Sequence, residues 1–361
     1  MPTSSVAALP MPVGADPEAQ LFETASTLYL AGCPEARLTT FEDNGVEFLF
    51  DANPAFDRTV LAIGRPRAPI APRDVQYQRL HPLADGAVRR FDRGHFLPYT
   101  GGGGFGPNLF PQDTALNRGW SKEGREYRAF ERRAIAAGSE SSMFSYPTYI
   151  DGTTTPGFIQ LGLISRTIRE TQIFRNRYDE AALLGDDRLT AELRGATDQQ
   201  IGGLGEETVG VFLRRELGFE IITMGDAGME RTDGRQDLDI VAMLDGTLIA
   251  YEVKTTYTSR RAGKRSKAGN LSRPRLRRTL SGSRQASQPY AADRLTNTID
   301  TGGDYEGVDV QVVVVDFELM ALQFFDVDDC GRRVTAAGPV LPCRDAAEEA
   351  LQIILDYRGH L

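Results

Sequence analysis

The sequence contains few cysteines, few histidines and no long hydrophobic segment. Its three cysteines, Cys33, Cys330 and Cys343, are widely spaced and odd in number, which predicts neither a disulfide framework nor a zinc cluster. No apolar run approaches the ~18–20 residues that a membrane span requires. The N-terminal segment also lacks the basic start and apolar stretch of a secretory signal. We therefore expect a globular protein of the reducing cytoplasm, or one delivered into another cell by a route without a signal.

Acidic residues are missing from one long segment, although the chain as a whole has a formal net charge of −9. None occurs between Glu252 and Asp293, and we call residues 254–284 the basic segment. A solvated loop would tolerate such a run, but one this long in an acidic chain favours contact with phosphates. The residues that we expect to bind nucleic acid are Arg260, Arg261, Lys264, Arg265, Lys267, Arg273, Arg275, Arg277 and Arg278.

The chain is long enough for two domains, each with its own core. A flexible leader is predicted over residues 1–25. Residues 26–164 are rich in glycine, proline and aromatics, with short alternating segments typical of strands. A polar helical connector is predicted over residues 165–202. Helical and strand patterns then alternate over residues 203–361, which favours an α/β domain with a central mixed sheet and a helical basic segment.

Acidic residues and a lysine in the second half are predicted to meet in this sheet. The period of two sends Glu252 and Lys254 to one face of the strand LIAYEVK, and a strong Asp-Gly hairpin signal brings Asp239 beside Glu252. Asp237 is a second candidate aspartate. Glu206 lies in line with the apolar stripe of a helix, where the helix dipole or a nearby cation would stabilise it. Clustered carboxylates repel one another without a cation, and oxygen ligands suit Mg²⁺ or Mn²⁺.

An acid on a helix, an aspartate on a strand and Glu-x-Lys after a hairpin, in this order, resemble the PD-(D/E)XK nuclease superfamily. The resemblance covers about residues 203–316, including GEETVGVFL and GRQDLDIVAMLDGTLIAYEVKT. It implies a restriction-endonuclease-like fold in which Asp239 and Glu252 are metal ligands. It also implies that Lys254 is the catalytic lysine and that Glu206 is the acid contributed by the helix.

One of the three histidines, His95, stands in the motif DRGH, which is followed by NLFPQDTALNRG. A lone histidine in a turn is usually structural. This combination, however, resembles the DNA/RNA non-specific endonucleases, whose ββα-metal fold carries an Asp-Arg-Gly-His strand and a later asparagine. The resemblance covers about residues 26–164. It implies that His95 is a general base, that Arg93 pairs with phosphate oxygens and that Asn117 is a metal ligand.

Two features of the first half leave alternatives open. Members of this family usually carry a glutamate two helical turns after the asparagine, and Glu123, Glu126 and Glu131 all miss that spacing. Either Glu126 or Glu131 takes its place after a local shift, or the site is weakened or inactive. The glycine run at 101–104 predicts either a loop that lets the backbone approach a substrate or an ordinary flexible loop.

Both halves thus predict a Mg²⁺- or Mn²⁺-dependent endonuclease that acts on DNA, with RNA as an alternative substrate. An antibacterial effector or an anti-phage nuclease would have this pair of domains, and an inhibitor protein is an expected partner. No membrane partner is expected. The competing interpretations are a protein that binds nucleic acid or a partner through degenerate nuclease folds, and a chain in which only the second half is catalytic.

Overall fold

The chain divides into two compact units, Met1–Ala196 and Thr197–Leu361. Both units mix helices with strands, and the second contains a sheet with parallel and antiparallel pairs, which confirms the predicted fold class. No described helix combines the length and hydrophobicity needed to cross a membrane. The computed structural model describes residues 8–14, 16–69, 74, 76–77, 91–178, 187–224, 238–258, 260–278, 284–298 and 308–359.

The first unit is built on a six-stranded antiparallel sheet with the order β1-β2-β3-β6-β7-β8, and β4 pairs with β5 separately. Its elements are α1 (Pro17–Gly32), β1 (Leu38–Asp43), β2 (Val46–Asp51), β3 (Arg58–Gly64), β4 (Phe91–His95), β5 (Leu109–Asp113), α2 (Thr114–Arg118), α3 (Lys122–Ala137), β6 (Ser142–Thr148), β7 (Phe158–Ile164), β8 (Arg169–Arg175) and α4 (Arg188–Gly195). Strand β3 is buried at every position. Side chains of α1 pack in one apolar cluster with β3, and side chains of α3 and β5 pack in another.

The N-terminal region differs from the predicted flexible leader. Leu21 and Ala25 of α1 are buried against the sheet. Leu9 is also buried, and its backbone N–H donates to Oε1 of Gln160 at 2.8 Å. Burial of these apolar side chains offsets the entropy lost on ordering the segment. The prediction was wrong over the described part of this region because it weighed composition and not tertiary packing.

The predicted helical connector is also wrong in its first part, because β8 is a strand. It pairs with β7 along its whole length, from Ile164 opposite Arg169 to Phe158 opposite Arg175. The polar residues of β8 are exposed or half-buried at one end because β8 lies at the edge of the sheet. Helix α4 then begins only at Arg188.

The second unit contains a sheet with the order β9-β10-β11-β12-β13-β14, in which β15 also pairs with β13. Only the pair β11–β12 is parallel among these described strands. The elements are α5 (Asp198–Leu217), β9 (Glu220–Met224), β10 (Ile240–Leu244), β11 (Thr247–Thr256), α6 (Gln288–Thr298), β12 (Asp309–Asp316), β13 (Ala321–Val327), β14 (Val334–Ala336), β15 (Leu341–Pro342) and α7 (Arg344–Gly359).

Two helices of the second unit pack on this sheet. Ala250 packs with Tyr290 of α6. Its neighbour Tyr251 packs instead with Phe324, which also contacts Phe212 of α5. Helices α5 and α6 therefore cover opposite faces.

The basic segment is not helical where the structure describes it, in contrast to the prediction. It contains turns and an isolated bridge between Arg265 and Leu271. Gly263 and Gly269 have φ values of 69° and 80°, in the left-handed region that interrupts a helix. Pro274 also lacks the N–H that a helix interior would use.

Two candidate functional sites

The first candidate site lies at one end of the β10–β11 hairpin. The antiparallel register pairs Ile240 with Tyr251, which places the preceding residue, Asp239, opposite Glu252. The turn that fixes this register contains Asp245 and Gly246, both with positive φ, as a tight hairpin turn requires. The structure thus brings Asp239 and Glu252 together at the position that the hairpin signal predicts.

Both carboxylates are buried, with Asp239 9% and Glu252 3% exposed. Asp239 Oδ2 accepts the backbone N–H of Val253 at 2.7 Å. Glu252 Oε1 accepts a hydrogen bond from Lys254 Nζ at 2.5 Å, and the lysine side chain is 29% exposed. The second oxygen of Glu252, Oε2, is buried without a hydrogen-bond partner in the described part of the chain. An unsatisfied buried oxygen is costly, so Oε2 is the atom that would gain most from a cation.

The electrostatics place Glu206 near the same pair. Burial raises the pKa of Asp239 well above its ordinary value, and the negative charges of Glu252 and Glu206 raise it further. Lys254 and the N–H of Val253 act in the opposite direction. The raised pKa of Asp239 therefore reflects its burial beside two other acids.

Helix α5 carries Glu206 to this cluster because it packs very closely on β11. A Cβ atom on Gly205 would lie 1.9 Å from Oγ1 of Thr255, so only glycine permits this approach. The buried residues Val209 and Leu213 continue the packed face of the helix. The apolar stripe that the sequence predicts for this helix therefore contributes to the hydrophobic core and also positions Glu206.

The donor set fits a hard divalent cation with an incomplete protein shell. In the described residues, no three His, Cys, Asp or Glu side chains are arranged to hold a metal ion. Mg²⁺ usually keeps several waters, however, and is bound through one or two carboxylates together with substrate phosphates. Asp239 and Glu252 meet that requirement. The alternative aspartate, Asp237, lies outside the described residues.

The basic segment lies over the sheet face that carries Glu252 and Lys254. The parallel register pairs Glu252 with Val312 and Lys254 with Val314, so these four side chains share one face. Val312 and Val314 pack with the buried Leu271 of the basic segment. The nine basic residues predicted to contact nucleic acid are all exposed.

Two hydrogen bonds fix the basic segment to the sheet. Leu271 donates its N–H to Oε1 of the buried Gln323 at 2.8 Å. Gly263 donates its N–H to the Asp316 carboxylate, with 2.9 Å to Oδ2. The segment is therefore anchored to the sheet while its basic side chains reach solvent.

The second candidate site is the β4–β5 hairpin together with α2, in the first unit. Strand β4 contains the whole DRGH motif, and Asp92 pairs with Gln112 of β5. A Cβ atom on Gly94 would lie 2.1 Å from Oε1 of Gln112, which explains the glycine. Strand alternation places Arg93 and the buried His95 on one face and Asp92 on the other.

Asp92 joins β4 to α2. Asn117 Nδ2 donates to Asp92 Oδ2 at 3.0 Å, and Arg118 donates to both carboxylate oxygens at 2.8 Å. The hydrogen bonds to Asp92 raise the pKa of Arg118. Because the NH₂ group of Asn117 faces a carboxylate, its Oδ1 points away from Asp92, as a metal ligand would require. Sequence reasoning missed Asp92 and Arg118, although both stand within the DRGH and NLFPQDTALNRG motifs.

The helix that contains Asn117 ends at Arg118, and the glutamates Glu123, Glu126 and Glu131 lie on a separate helix, α3. Gly119 has a φ of 71° and ends α2, and Ser121 begins α3 by accepting the N–H of Gly124 at 2.9 Å. Glu123 is directed to β8, where its Oε1 accepts the N–H of Arg175 at 2.6 Å. The expected spacing of two turns along one continuous helix does not exist here.

The two glutamates proposed as replacements have different surroundings. Glu126 is exposed and accepts a hydrogen bond from Gln172 of β8 at 3.4 Å. Glu131 is buried and pairs with Arg128 Nη1 at 3.1 Å. Burial raises the pKa of Glu131 to about 7. Glu131 therefore changes its protonation state near neutral pH in the folded chain.

The glycine run between β4 and β5 is held in place. Buried Asn108 accepts the N–H of Leu97 through Oδ1, and its Nδ2 donates to the carbonyls of Leu97 and Gly104, each at 2.9 Å. A Cβ atom on Gly103 would lie 2.0 Å from the Leu97 carbonyl oxygen. The glycines at this point therefore permit close packing within the chain.

Among the solved structures that match this chain, one aligns with part of its length. It is described as an extracellular endonuclease and aligns with 39% of this chain and 69% of its own, at 18% identity and a TM-score of 0.22. No protein-family model and no curated protein matches the chain.

Proposed function

We propose that this protein is a Mg²⁺- or Mn²⁺-dependent endonuclease that hydrolyses phosphodiester bonds of DNA, with RNA as an alternative substrate. The observation that carries the proposal is the buried pair Asp239 and Glu252, with Lys254 Nζ on Glu252 Oε1 and an unpartnered Oε2. Two buried carboxylates repel one another unless a cation or a proton compensates them. A bound cation would compensate the negative charge of these carboxylates and so offset the cost of burying them together.

Asp239 and Glu252 would hold the ion, which when bound lowers the pKa of a water and withdraws charge from the scissile phosphate. Lys254 lies at the solvent edge of the cluster, where its ammonium group stabilises charge that grows on phosphate oxygens. Glu206 adds negative charge from α5 and orients a water toward the phosphate. The exposed residues of the basic segment hold the DNA backbone on the same face.

The first unit would supply a second hydrolytic centre. His95 takes the proton of the attacking water, since an imidazole ordinarily titrates near neutral pH. Arg93 shares its face of β4 and pairs with phosphate oxygens. Asn117 would offer Oδ1 to a divalent ion, held in that orientation by Asp92.

A second candidate function is that only the second unit hydrolyses its substrate. The break between α2 and α3, which directs Glu123 to Arg175, favours this alternative. In either form the protein suits a role as an antibacterial effector or an anti-phage nuclease. Its neutralising partner would be an inhibitor protein, and its place of action the cytoplasm of its own or a target cell.

Digestion of duplex plasmid and of circular single-stranded DNA with Mg²⁺ tests the proposal, comparing the unmodified chain with Lys254→Ala, His95→Ala and the double variant. We expect each single change to remove part of the cleavage and the double change to remove all of it. Loss of all cleavage in Lys254→Ala alone would assign catalysis to the second unit. An Asp309→Asn variant, changed at an exposed position of β12, is the control and should cut normally. No Mg²⁺-dependent cleavage by the unmodified chain would overturn the proposal in favour of a binding protein.

A further inference from the structure

Three aromatic rings lie around Phe105, next to the candidate base of the first unit. The ring centroid of Phe105 is 6.1 Å from that of His95, 5.9 Å from that of Tyr99 and 5.6 Å from that of Tyr77. We call Tyr77, Tyr99 and Phe105 the aromatic cluster. None of the functions assigned above uses these rings.

One part of the aromatic cluster is held by a hydrogen bond to the backbone, and another part is exposed to solvent. Phe105 directly follows the glycine run, which Asn108 holds by its bond to the Gly104 carbonyl. Phe105 and Tyr99 are half-buried, whereas Tyr77 is 48% exposed. An aromatic ring that is both exposed and held by neighbouring rings loses little entropy when a planar ligand stacks on it.

We propose that the aromatic cluster binds an unpaired nucleobase by stacking, so that the first unit acts on single-stranded DNA or RNA. This inference rests on the function proposed above for His95. Tyr77 and Phe105 provide the stacking surface, and Tyr99 packs beside Phe105. Arg93, on the same face of β4 as His95, binds the adjoining phosphate.

The position of the cluster determines the kind of substrate. In a duplex the faces of each base are covered by neighbouring base pairs, so a base reaches an aromatic ring only after leaving the stack. Single strands present their bases without that cost, and stacking on protein aromatics tolerates any sequence. The first unit should therefore discriminate single strands from duplexes without strong sequence preference, whereas the basic segment of the second unit binds the backbone of either form.

The test uses the full chain in the Lys254→Ala background and a short single strand containing 2-aminopurine, whose fluorescence is quenched by stacking. Binding is measured in EDTA, so the result does not depend on cleavage. We expect Tyr77→Ala and Phe105→Leu to reduce the quenching and to raise the Kd for the single strand roughly tenfold. Tyr77→Phe should retain both, because it keeps the ring. The Kd for the matching duplex should change less than twofold.

Tyr357→Ala is the control, since Tyr357 is 54% exposed and lies in the second unit. Thermal unfolding of each variant separates lost stacking from lost folding, and Phe105→Leu keeps apolar volume if Tyr77→Ala proves unstable. Quenching that is unchanged in both folded variants, or equal losses for single strand and duplex, would overturn the inference. A chain that shows the expected quenching but never cleaves would retain the stacking site and refute the nuclease function instead.

Discussion

At the scale of single residues, the buried acids of this protein make its stability depend on conditions. Glu131 illustrates the dependence on pH. Its pKa of about 7 lies above the ordinary value of 4.5 because the folded chain buries it. Between these two values the folded state binds a proton that the unfolded state has released. Stability is therefore lost as the pH rises from 4.5 through 7.

Glu131→Gln should remove this contribution. At pH 5 the variant and the unmodified chain should be similarly stable, because Glu131 is then largely protonated in the folded chain. At pH 8 the variant should be more stable by up to about 3 kcal/mol. Loss of the pair with the half-exposed Arg128 costs less than about 1 kcal/mol of this gain. Urea unfolding at both pH values measures the difference, and a variant less stable at pH 8 would contradict the assignment.

Asp239 should make stability depend on divalent ions. Asp239→Asn replaces an acid whose pKa the folded chain raises with a neutral amide, so the variant should unfold at a higher temperature than the unmodified chain in EDTA. Addition of Mg²⁺ should raise the melting temperature of the unmodified chain but not that of the variant. Differential scanning fluorimetry with Asp309→Asn as the control checks both statements. Equal shifts with Mg²⁺ in all three chains would exclude Asp239 as a ligand.

At the scale of elements, close contacts between neighbouring segments position the two sites. Asp92 is the contact between β4 and α2. Asp92→Ala should lower first-unit cleavage at least tenfold through kcat, because Asn117 loses the partner that orients its amide. Arg118→Ala keeps that partner and should have a smaller effect. Kinetics on a single-stranded substrate in the Lys254→Ala background separate the two changes, and equal losses would refute an orienting role for Asp92.

Gly205 is the corresponding contact between α5 and β11. Gly205→Ala forces the helix away from Thr255, which we expect to destabilise the chain by about 1–3 kcal/mol and to lower second-unit cleavage by moving Glu206. Gly202→Ala lies in the same helix with open space around it, and it should instead stabilise the chain by about 0.5–1 kcal/mol. Adding Thr255→Ala to Gly205→Ala should restore part of both properties. Chemical denaturation and plasmid cleavage of the four chains provide the test.

At the scale of the whole molecule, the charge of the basic segment should control affinity for nucleic acid. Replacing Arg273 and Arg275 with alanine should weaken DNA binding and reduce the slope of log K against log salt by about 0.9 for each phosphate that the variant no longer neutralises. Arg332 and Arg333, a second exposed pair in the same unit, serve as the control. Fluorescence anisotropy across a salt series measures the slopes. A slope that stays the same after the first replacement would show that these arginines do not bind phosphates.

Local signals in the sequence predicted the parts of the chain that depend on local geometry. The period of two and the Asp-Gly turn were sufficient to bring Asp239 to Glu252, because the register follows from the turn. The bond from Leu9 to Gln160 joins residues far apart in the chain, so composition could not indicate it. The break at Gly119 was visible only as a missing glutamate spacing. Its cause, a left-handed glycine followed by a capping serine, required the backbone angles.

The exposed arginines and lysines of the basic segment, whose Leu271 packs on the sheet face that carries Glu252 and Lys254, have a consequence for association kinetics. These residues make the electrostatic potential of the second unit more positive around the basic segment, although the complete chain has a net negative charge. This positive potential would attract an approaching polyanion to the basic segment before the two molecules touch. A larger fraction of collisions would then lead to binding. Added electrolyte should therefore slow capture much more than it speeds release.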